Sequence, residues 1–164
     1  MNRLALLISG GRKFTNQDAV DKVLKQYIAH FAPRAVTIIH GKAPGADTCA
    51  DVFGKARGYD VEDYPAKWDD LNAPGAVVAK TKWGKKYNAK AGHQRNGQMR
   101  VRILELSGHV VAFWNGYSPG TKEMIKACKN NLQRPLMVVL YDEKTQQLTE
   151  IRYYHHDTPP QIDL

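Results

Sequence analysis

Short, almost continuously apolar runs that end in glycine- or proline-containing turns constrain the fold of this chain most. Residues 4–9 (LALLIS) and 35–39 (AVTII) are such runs, and a helical pattern follows each of them. In the first helix, apolar side chains recur every three or four residues, at Val20, Val23, Leu24, Tyr27, Ile28 and Phe31. A strand buried on both faces and followed by an amphipathic helix is the unit of a parallel sheet. The pattern therefore predicts an α/β fold.

The same alternation continues along the chain. The first helix is expected to begin at Thr15, the first residue of a capping pattern. Three more helices are predicted at residues 46–57, 94–106 and 121–132, and three more strands at residues 61–66, 109–114 and 136–141. A further strand is expected near residues 148–154. This alternation predicts a three-layer sandwich, in which helices cover both faces of a mainly parallel sheet of about five strands.

Residues 1–164 are expected to form one domain, with a C-terminal tail at about residues 143–164 and a lysine-rich insertion at about residues 69–92. The insertion shows no periodicity, which is typical of a functional lid or a floppy loop. Five lysines in it surround two aromatic side chains: Lys80, Lys82, Lys85, Lys86 and Lys90 around Trp83 and Tyr87. Single-stranded nucleic acid stacks on such aromatic side chains in a basic setting, and a solvated cationic loop is the other interpretation.

The charge of the chain favours an anionic partner. Twenty-four Lys and Arg against sixteen Asp and Glu give a formal net charge of +8, which suits phosphorylated small molecules and nucleic acid alike. No apolar stretch approaches the roughly 20 residues that span a bilayer. The run at residues 4–9 lacks a signal-peptide cleavage site, so it is interpreted as a strand. We expect a cytoplasmic protein with no membrane partner, for which a homo-oligomer is plausible, and with Cys49 and Cys128 reduced and buried.

In an open parallel sheet, ligands bind beyond the carboxyl ends of the strands. Glycine there lets a phosphate approach the free N–H groups of a helix N-terminus. HGKAPGAD (residues 40–47) is accordingly interpreted as a backbone nest that faces a ligand. The candidate ligand-binding residues are Gly10, Gly11, Arg12, His40, Gly41, Gly45, Asp47, Trp68, Arg95, Asn96, Asn115, Gly116, Gly120 and Thr121.

Common phosphate and catalytic fingerprints are absent from these turns. GGRKF is not the dinucleotide-binding pattern, KAPGADT lacks the ending of a P-loop, and no nucleophile-elbow motif exists. The six histidines show no metal-ligand spacing, so neither a metal nor a cofactor is predicted.

Five motifs, in order along the chain, resemble the SLOG superfamily and within it the YspA-like subfamily. They are SGGRKF, HGKAPGADTCAD, YPAKWDD, AGHQRNGQM and AFWNGYSPGTKEMI, at residues 9–14, 40–51, 64–70, 91–99 and 112–125. The segment 73–92 also looks like an insertion found in a branch of that family. The resemblance implies a Rossmann-like fold that binds nucleotides or nucleotide-derived molecules. YspA-like proteins are proposed to sense or process such signals, often in conflicts between phages and bacteria.

The SLOG superfamily includes both enzymes and nucleic-acid-binding proteins. Lonely Guy phosphoribohydrolases cleave the N-glycosidic bond of nucleoside monophosphates, and DNA-processing protein A binds single-stranded DNA. The phosphate loop of the former is similar to NGYSPGTKEM at Gly120 and Thr121, and their arginine to Arg95. Their catalytic carboxylate lies three residues after the threonine, whereas Glu123 lies two residues after Thr121, about 100° away around a helix.

We therefore expect a protein that binds a nucleotide-derived small molecule as a sensor, a sequestering protein or a processing enzyme. Backbone N–H groups of the glycine turns would hold phosphate together with Arg12 and Arg95. Asp47 and Asn115 would hold ribose hydroxyls or order the loops. The first alternative is an N-glycosidic hydrolase with Glu123 and Asp47 as its catalytic candidates, and the second is single-stranded nucleic-acid binding. Arg95 is expected at a helix entry, where its replacement by alanine would leave folding intact.

Overall fold

A six-stranded sheet forms the centre of the computed structural model, which describes residues 2–164. Its strand order is β3-β2-β1-β6-β7-β8. Five strands are parallel, and β8 pairs antiparallel to β7 at one edge. The strands are β1 (Arg3–Gly10), β2 (Ala35–His40), β3 (Asp60–Asp63), β6 (His109–Trp114), β7 (Leu136–Tyr141) and β8 (Leu148–Tyr154).

Four helices cover the two faces of this sheet. They are α1 (Gln17–Phe31), α2 (Ala46–Ala56), α3 (Ala91–Glu105) and α4 (Pro119–Ala127), the last continuing into a π-helical turn at Cys128–Leu132. Helices α1 and α2 pack on one face, where Leu4, Leu6 and Ile8 of β1 are buried. Helices α3 and α4 pack on the other, where Ala5 and Leu7 are buried. Because successive side chains of β1 point to opposite faces, this strand contributes residues to both hydrophobic cores. The predicted three-layer α/β fold is confirmed.

Several element boundaries differ from the predicted ones for local reasons. Helix α1 is capped by Asn16, whose Oδ1 accepts a hydrogen bond from the N–H of Ala19 at 3.1 Å, and not by Thr15. Strand β3 ends at Asp63, before a proline that has no N–H group for the ladder. Helix α4 begins at Pro119, because proline fits the first helical position. Helix α3 begins at Ala91, three residues before the predicted start at residue 94.

The segment between β3 and α3 contains a second, two-stranded antiparallel sheet. Strands β4 (Val78–Lys80) and β5 (Lys86–Asn88) form a hairpin, which the sequence analysis did not predict. Asn88 anchors the hairpin: it is fully buried, and its Nδ2 donates to Gln94 Oε1 of α3 at 2.9 Å. Three-residue strands are too short to show an alternating pattern in the sequence.

The topology places a crevice beside the central strand. From β1 the chain crosses to β2 on one side, and β6 returns to β1 on the other side. In doubly wound sheets, ligands bind at such a switch point, beyond the carboxyl ends of the two strands. Both cysteines, Cys49 and Cys128, are buried and unpaired, as expected. None of the helices within residues 2–164 is long and apolar enough to cross a bilayer.

Candidate functional site

A cleft of about 530 Å³ lies at this switch point. Its walls come from the turn after β1, the start of α2, the first two turns of α3 and the first turn of α4. Many residues predicted from the sequence line it together: Gly10, Gly11, Arg12, Asp47, Trp68, Arg95, Asn96, Gly120, Thr121 and Glu123. The cleft thus joins side chains that are more than one hundred residues apart in the chain.

Arg95 is the most unusual side chain of the cleft, because it is a buried cation. Only 9% of its surface is exposed, and the ion pairs formed within residues 2–164 do not include it. Its Nη1 donates to the Gly41 carbonyl oxygen, and its Nε donates to Asn96 Oδ1 at 2.9 Å. Burial lowers the pKa of Arg95, while the nearby Asp47 acts in the opposite direction. Since α3 begins at Ala91, Arg95 lies in the second turn and not at the helix entry.

A second arginine lies close to Arg95. Arg12, in the exposed turn after β1, has its Cζ 5.9 Å from the ring centroid of Trp68, and its positive charge contributes to the lowered pKa of Arg95. Two guanidinium groups that share one cleft repel each other, and an anion between them would remove that repulsion.

The first turn of α4 forms the opposite wall of the cleft. Its N-cap residue, Ser118, makes no side-chain capping hydrogen bond, and Pro119 occupies the first turn. The N–H groups of Gly120 and Thr121 have no acceptor inside the helix and stand at its positive dipole end. Glycine at 120 has no heavy atom within 4 Å of the place where a Cβ would stand, which leaves room for a ligand there.

The loop HGKAPGAD closes on the protein itself and does not form the predicted open nest. Asp47 Oδ2 accepts hydrogen bonds from the N–H groups of Gly41 at 3.1 Å and Ala43 at 3.2 Å. The N–H of Ala46, the first residue of α2, donates to the Gly11 carbonyl at 3.1 Å. Gly41 and Gly45 lie outside the cleft lining. Their glycines allow close packing: a Cβ on Gly41 would stand 2.5 Å from Arg95 Nη1.

Three other predicted residues also lie outside the cleft lining: His40, Asn115 and Gly116. His40 is 2% exposed, and its Nε2 donates to Asp51 Oδ1 at 2.8 Å while its Nδ1 accepts from the N–H of Lys42 at 3.0 Å. Asn115 Oδ1 accepts from the N–H groups of Tyr117 at 3.0 Å and Ser118 at 2.8 Å. These two hydrogen bonds order the turn before α4.

The two candidate catalytic carboxylates differ in their surroundings. Asp47 is 6% exposed, and burial raises its pKa against the opposing effect of its two N–H donors. Glu123 is 34% exposed, and its Oε1 lies 2.9 Å from His93 Nδ1 and 3.4 Å from Arg100 Nη1. Glu123 and His93 both line the cleft, so this acid–imidazole pair is accessible to a ligand, whereas Asp47 is occupied by the loop.

Sequence reasoning missed several lining residues, of which Lys13, His93 and Glu143 carry charge or proton-transfer chemistry. Glu143 lies in the turn between β7 and β8 and accepts hydrogen bonds from Tyr117 Oη and, at 3.3 Å, from Asn115 Nδ2. The Tyr117 hydrogen bond lowers the pKa of Glu143. No sequence signal connects that turn with α4. His93 lies two residues before Arg95, in the same motif and the same helix. This closeness to Arg95 could have marked His93 as a candidate site residue.

Metal ligation has no support in the described part of the chain. Within residues 2–164, no group of three or more His, Cys, Asp or Glu side chains is arranged to hold a metal ion. The lining instead mixes basic side chains, Arg12, Lys13, His93 and Arg95, with the carboxylates of Asp47, Glu123 and Glu143.

Comparison with known proteins gives one family. Residues 4–70 match the model of YAcAr, the YspA, cpYpsA-related SLOG family. Among proteins with curated descriptions, none matches the chain. The matched residues run from β1 to Asp70 and include the glycine turn after β1, the loop before α2 and Trp68. Over this segment, about two fifths of its length, the chain is similar to the YspA-related SLOG family, the family that its motifs resemble.

Proposed function

We propose that the cleft binds a nucleotide or a nucleotide-derived small molecule through its phosphate group. The observation that carries this proposal is Arg95, a cleft-lining guanidinium that is 9% exposed and forms no ion pair within the described residues. A buried cation without an anionic partner is costly. A bound phosphate would complete its hydrogen bonds and offset that cost.

The rest of the cleft suits the other parts of such a ligand. The N–H groups of Gly120 and Thr121, together with Arg12, would share the phosphate with Arg95. Trp68 is 38% exposed and offers a ring face for a base. A volume of about 530 Å³ lies within the usual range of small-molecule sites. The match of residues 4–70 to the SLOG family supports a nucleotide-related ligand in general terms.

A screen of ligands tests the proposal. Nucleoside mono- and diphosphates, ADP-ribose derivatives and cyclic dinucleotides would be tested by thermal shift and then by calorimetry. A ligand present at 100 times its Kd adds about 2.7 kcal/mol to the free energy of unfolding, which gives a shift of several degrees. If no compound raises Tm and none appears at the cleft after soaking into crystals, the proposal is wrong.

Variants of the two arginines identify the site. Arg12→Gln should weaken binding about 10-fold without affecting folding, because Arg12 is exposed. Arg95→Ala should weaken it about 10–100-fold, but it also removes the donor to the Gly41 carbonyl and is expected to lower stability. Arg95→Lys, which keeps the charge and loses the planar fork, separates these effects. Lys25→Gln, on the outer side of α1, serves as the control with unchanged binding.

Hydrolysis of an N-glycosidic bond is a second candidate function, favoured by the position of Glu123 beside His93. In that reaction the bond between C1′ and the base nitrogen breaks, a water oxygen bonds to C1′, and the leaving base takes up a proton. Glu123 would stabilise the positive charge that develops on the sugar or activate the water, and His93 would supply the proton. Chromatographic detection of free base from nucleoside monophosphates tests it. Product formation that survives Glu123→Gln would reject Glu123 as the catalytic group.

A further inference from the structure

The excess positive charge of this protein is confined to one stretch of the chain. Residues 71–104 contain eight Lys or Arg and no Asp or Glu, which equals the whole formal net charge of +8. In the rest of the chain, acidic and basic residues balance. Three of these eight are arginines of α3, of which Arg100 and Arg102 lie beside carboxylates. The exposed excess therefore comes mainly from the five lysines at residues 80–90, and such a local excess favours an anionic partner.

Within this stretch, the β4–β5 hairpin places like charges directly opposite each other. Lys80 of β4 and Lys86 of β5 are cross-strand partners, and like charges in that position destabilise a strand pair. Of the hairpin lysines, only Lys85 has a carboxylate nearby within residues 2–164, at 3.7 Å from Asp69, and both side chains are exposed. Phosphate bound between Lys80 and Lys86 would turn the repulsion into attraction.

The tip of the hairpin presents an aromatic ring on an ordered turn. Trp83 is 83% exposed, the highest value among the large hydrophobic side chains of the described residues. The turn beneath it is fixed by Thr81, whose N–H donates to the Lys85 carbonyl at 2.8 Å and whose Oγ1 accepts from the N–H of Lys85 at 3.1 Å. Lys82 Nζ lies 4.8 Å from the centroid of the indole. A solvent-exposed indole beside a cation, on a hydrogen-bonded turn, is an arrangement on which unpaired bases stack.

Residues of β5 connect the hairpin to the cleft. Tyr87, on the face of β5 opposite to Lys86, lies with its ring centroid 6.4 Å from that of Trp68, which lines the cleft. The N–H of Asn88 donates to the Trp68 carbonyl at 2.7 Å and fixes the base of the hairpin to this residue. The hairpin is therefore a basic, aromatic extension of the cleft wall.

We propose that the β4–β5 hairpin, residues 78–88, binds single-stranded nucleic acid. Lys80 and Lys86 hold backbone phosphates, and a base stacks on Trp83. We expect a preference for single-stranded over double-stranded nucleic acid, because the bases of a duplex are stacked on each other and offer no free ring face to the indole. This site is separate from the small-molecule function of the cleft and does not depend on it.

Fluorescence anisotropy with labelled oligo(dT) and oligo(rU) 20-mers tests this site. Log K should fall linearly with log [KCl], with a slope of about −0.7 for each phosphate neutralised. Trp83→Ala should weaken binding about 5- to 50-fold and Trp83→Phe much less, because a phenyl ring still stacks. Lys80→Gln with Lys86→Gln should weaken binding and make the salt slope shallower by about one unit or more. Lys25→Gln on α1 is the matched control and should change neither value.

Four outcomes would overturn the proposal. They are the absence of oligonucleotide binding at low salt, binding that Trp83→Ala and the double lysine variant leave unchanged, binding of a 20-bp duplex as tight as that of the single strand, and tighter Trp83-dependent binding to phosphatidylserine vesicles than to oligonucleotide. Because the changed side chains are exposed, circular dichroism and Tm of the variants should match those of the parent protein. Calorimetry with the cleft ligands then shows whether a failure concerns the hairpin alone.

Discussion

At position 45, the backbone turns into α2 with a φ of +84°, and a Cβ there would stand 2.3 Å from the Gly11 carbonyl oxygen. That oxygen accepts the hydrogen bond from Ala46, so the turn after β1 and the start of α2 are held in contact. Two physical demands therefore fall on one residue: a left-handed backbone and a close approach of two backbone segments. Only glycine satisfies both.

Replacing Gly45 by alanine should destabilise the protein more than replacing Gly116. Gly116 also has a positive φ, of +94°, but nothing lies within 4 Å of its hypothetical Cβ. Gly116→Ala is expected to cost about 1–2 kcal/mol for the backbone conformation alone. Gly45→Ala adds a clash with main-chain atoms, for about 1–3 kcal/mol more. Urea denaturation measures both; equal losses would show that close packing at Gly45 is unimportant.

The residues that line the cleft show how much of the site could be predicted from the sequence. Arg12, Gly120 and Thr121 were assigned to one ligand site because they follow strand ends of a parallel sheet, which is a topological argument, whereas Arg95 was assigned through the family resemblance. The glycine-rich loop before α2 was assigned to a ligand, since the sequence does not reveal that Asp47 accepts its N–H groups. Local composition identifies a flexible turn, but the partner of its N–H groups depends on the tertiary structure.

Three side chains join α1 to strand β6 and to the segment after β8. Tyr27 Oη lies 2.8 Å from His109 Nδ1 and 2.8 Å from His156 Nε2. His109 is 5% exposed and packs edge-on against Phe31, with ring centroids 4.9 Å apart. Burial lowers the pKa of His109 to about 4, and it lowers the pKa of His156 as well. Both imidazoles are therefore held neutral in the folded protein.

Acidification should weaken the fold through His109. As the pH falls from 7 to 5, the unfolded chain binds a proton at a pKa of about 6.5 while folded His109, with a pKa of about 4, stays neutral. The unfolded state then carries more protons, so the free energy of unfolding decreases, by about 2 kcal/mol over this window from His109 alone. His156 acts in the same direction. Urea midpoints between pH 5 and 7 measure the slope.

The comparison that isolates this effect uses two variants. His109→Gln should flatten the pH dependence, whatever its effect on absolute stability. Lys25→Gln, an exposed change on α1 that leaves every histidine in place, should leave the slope unchanged. The raised pKa of Asp47 has the opposite sign but is common to all three proteins. A parent-like slope in His109→Gln would contradict the assignment.

At the scale of elements, continuous apolar runs were predicted best. The bounds of β6 and β7 match the predicted strands, because buried parallel strands are apolar throughout and end at polar turns. Strand β3 was displaced, since three of its four residues are acidic. The β4–β5 hairpin was missed because its stability comes from the buried Asn88 and its neighbours, not from a pattern within the strands.

In the whole molecule, the cleft and the hairpin meet at the contact between Trp68 and Tyr87. Trp68 presents one part of its ring to Arg12 and another to Tyr87. Trp83 and the Lys80–Lys86 pair lie beyond Tyr87 and outside the cleft lining, whereas Arg12 belongs to that lining. The two proposed binding surfaces, each of which contains cationic side chains, are therefore linked through the Trp68–Tyr87 contact and the hydrogen bond from the N–H of Asn88 to the Trp68 carbonyl.

Three variants should separate these surfaces. Trp83→Ala should reduce oligonucleotide binding and leave unchanged the affinity for the screened nucleotide that raises Tm most. Arg12→Gln should do the reverse. Tyr87→Ala should reduce both about 3- to 10-fold, because it removes an aromatic contact worth about 0.5–1.5 kcal/mol that holds Trp68 and the base of the hairpin in place. Since Tyr87 is only partly buried, its loss should leave the fold intact. Titration of each variant with both ligands measures this pattern, and a Tyr87→Ala protein that keeps either affinity would show that the contact does not position that surface.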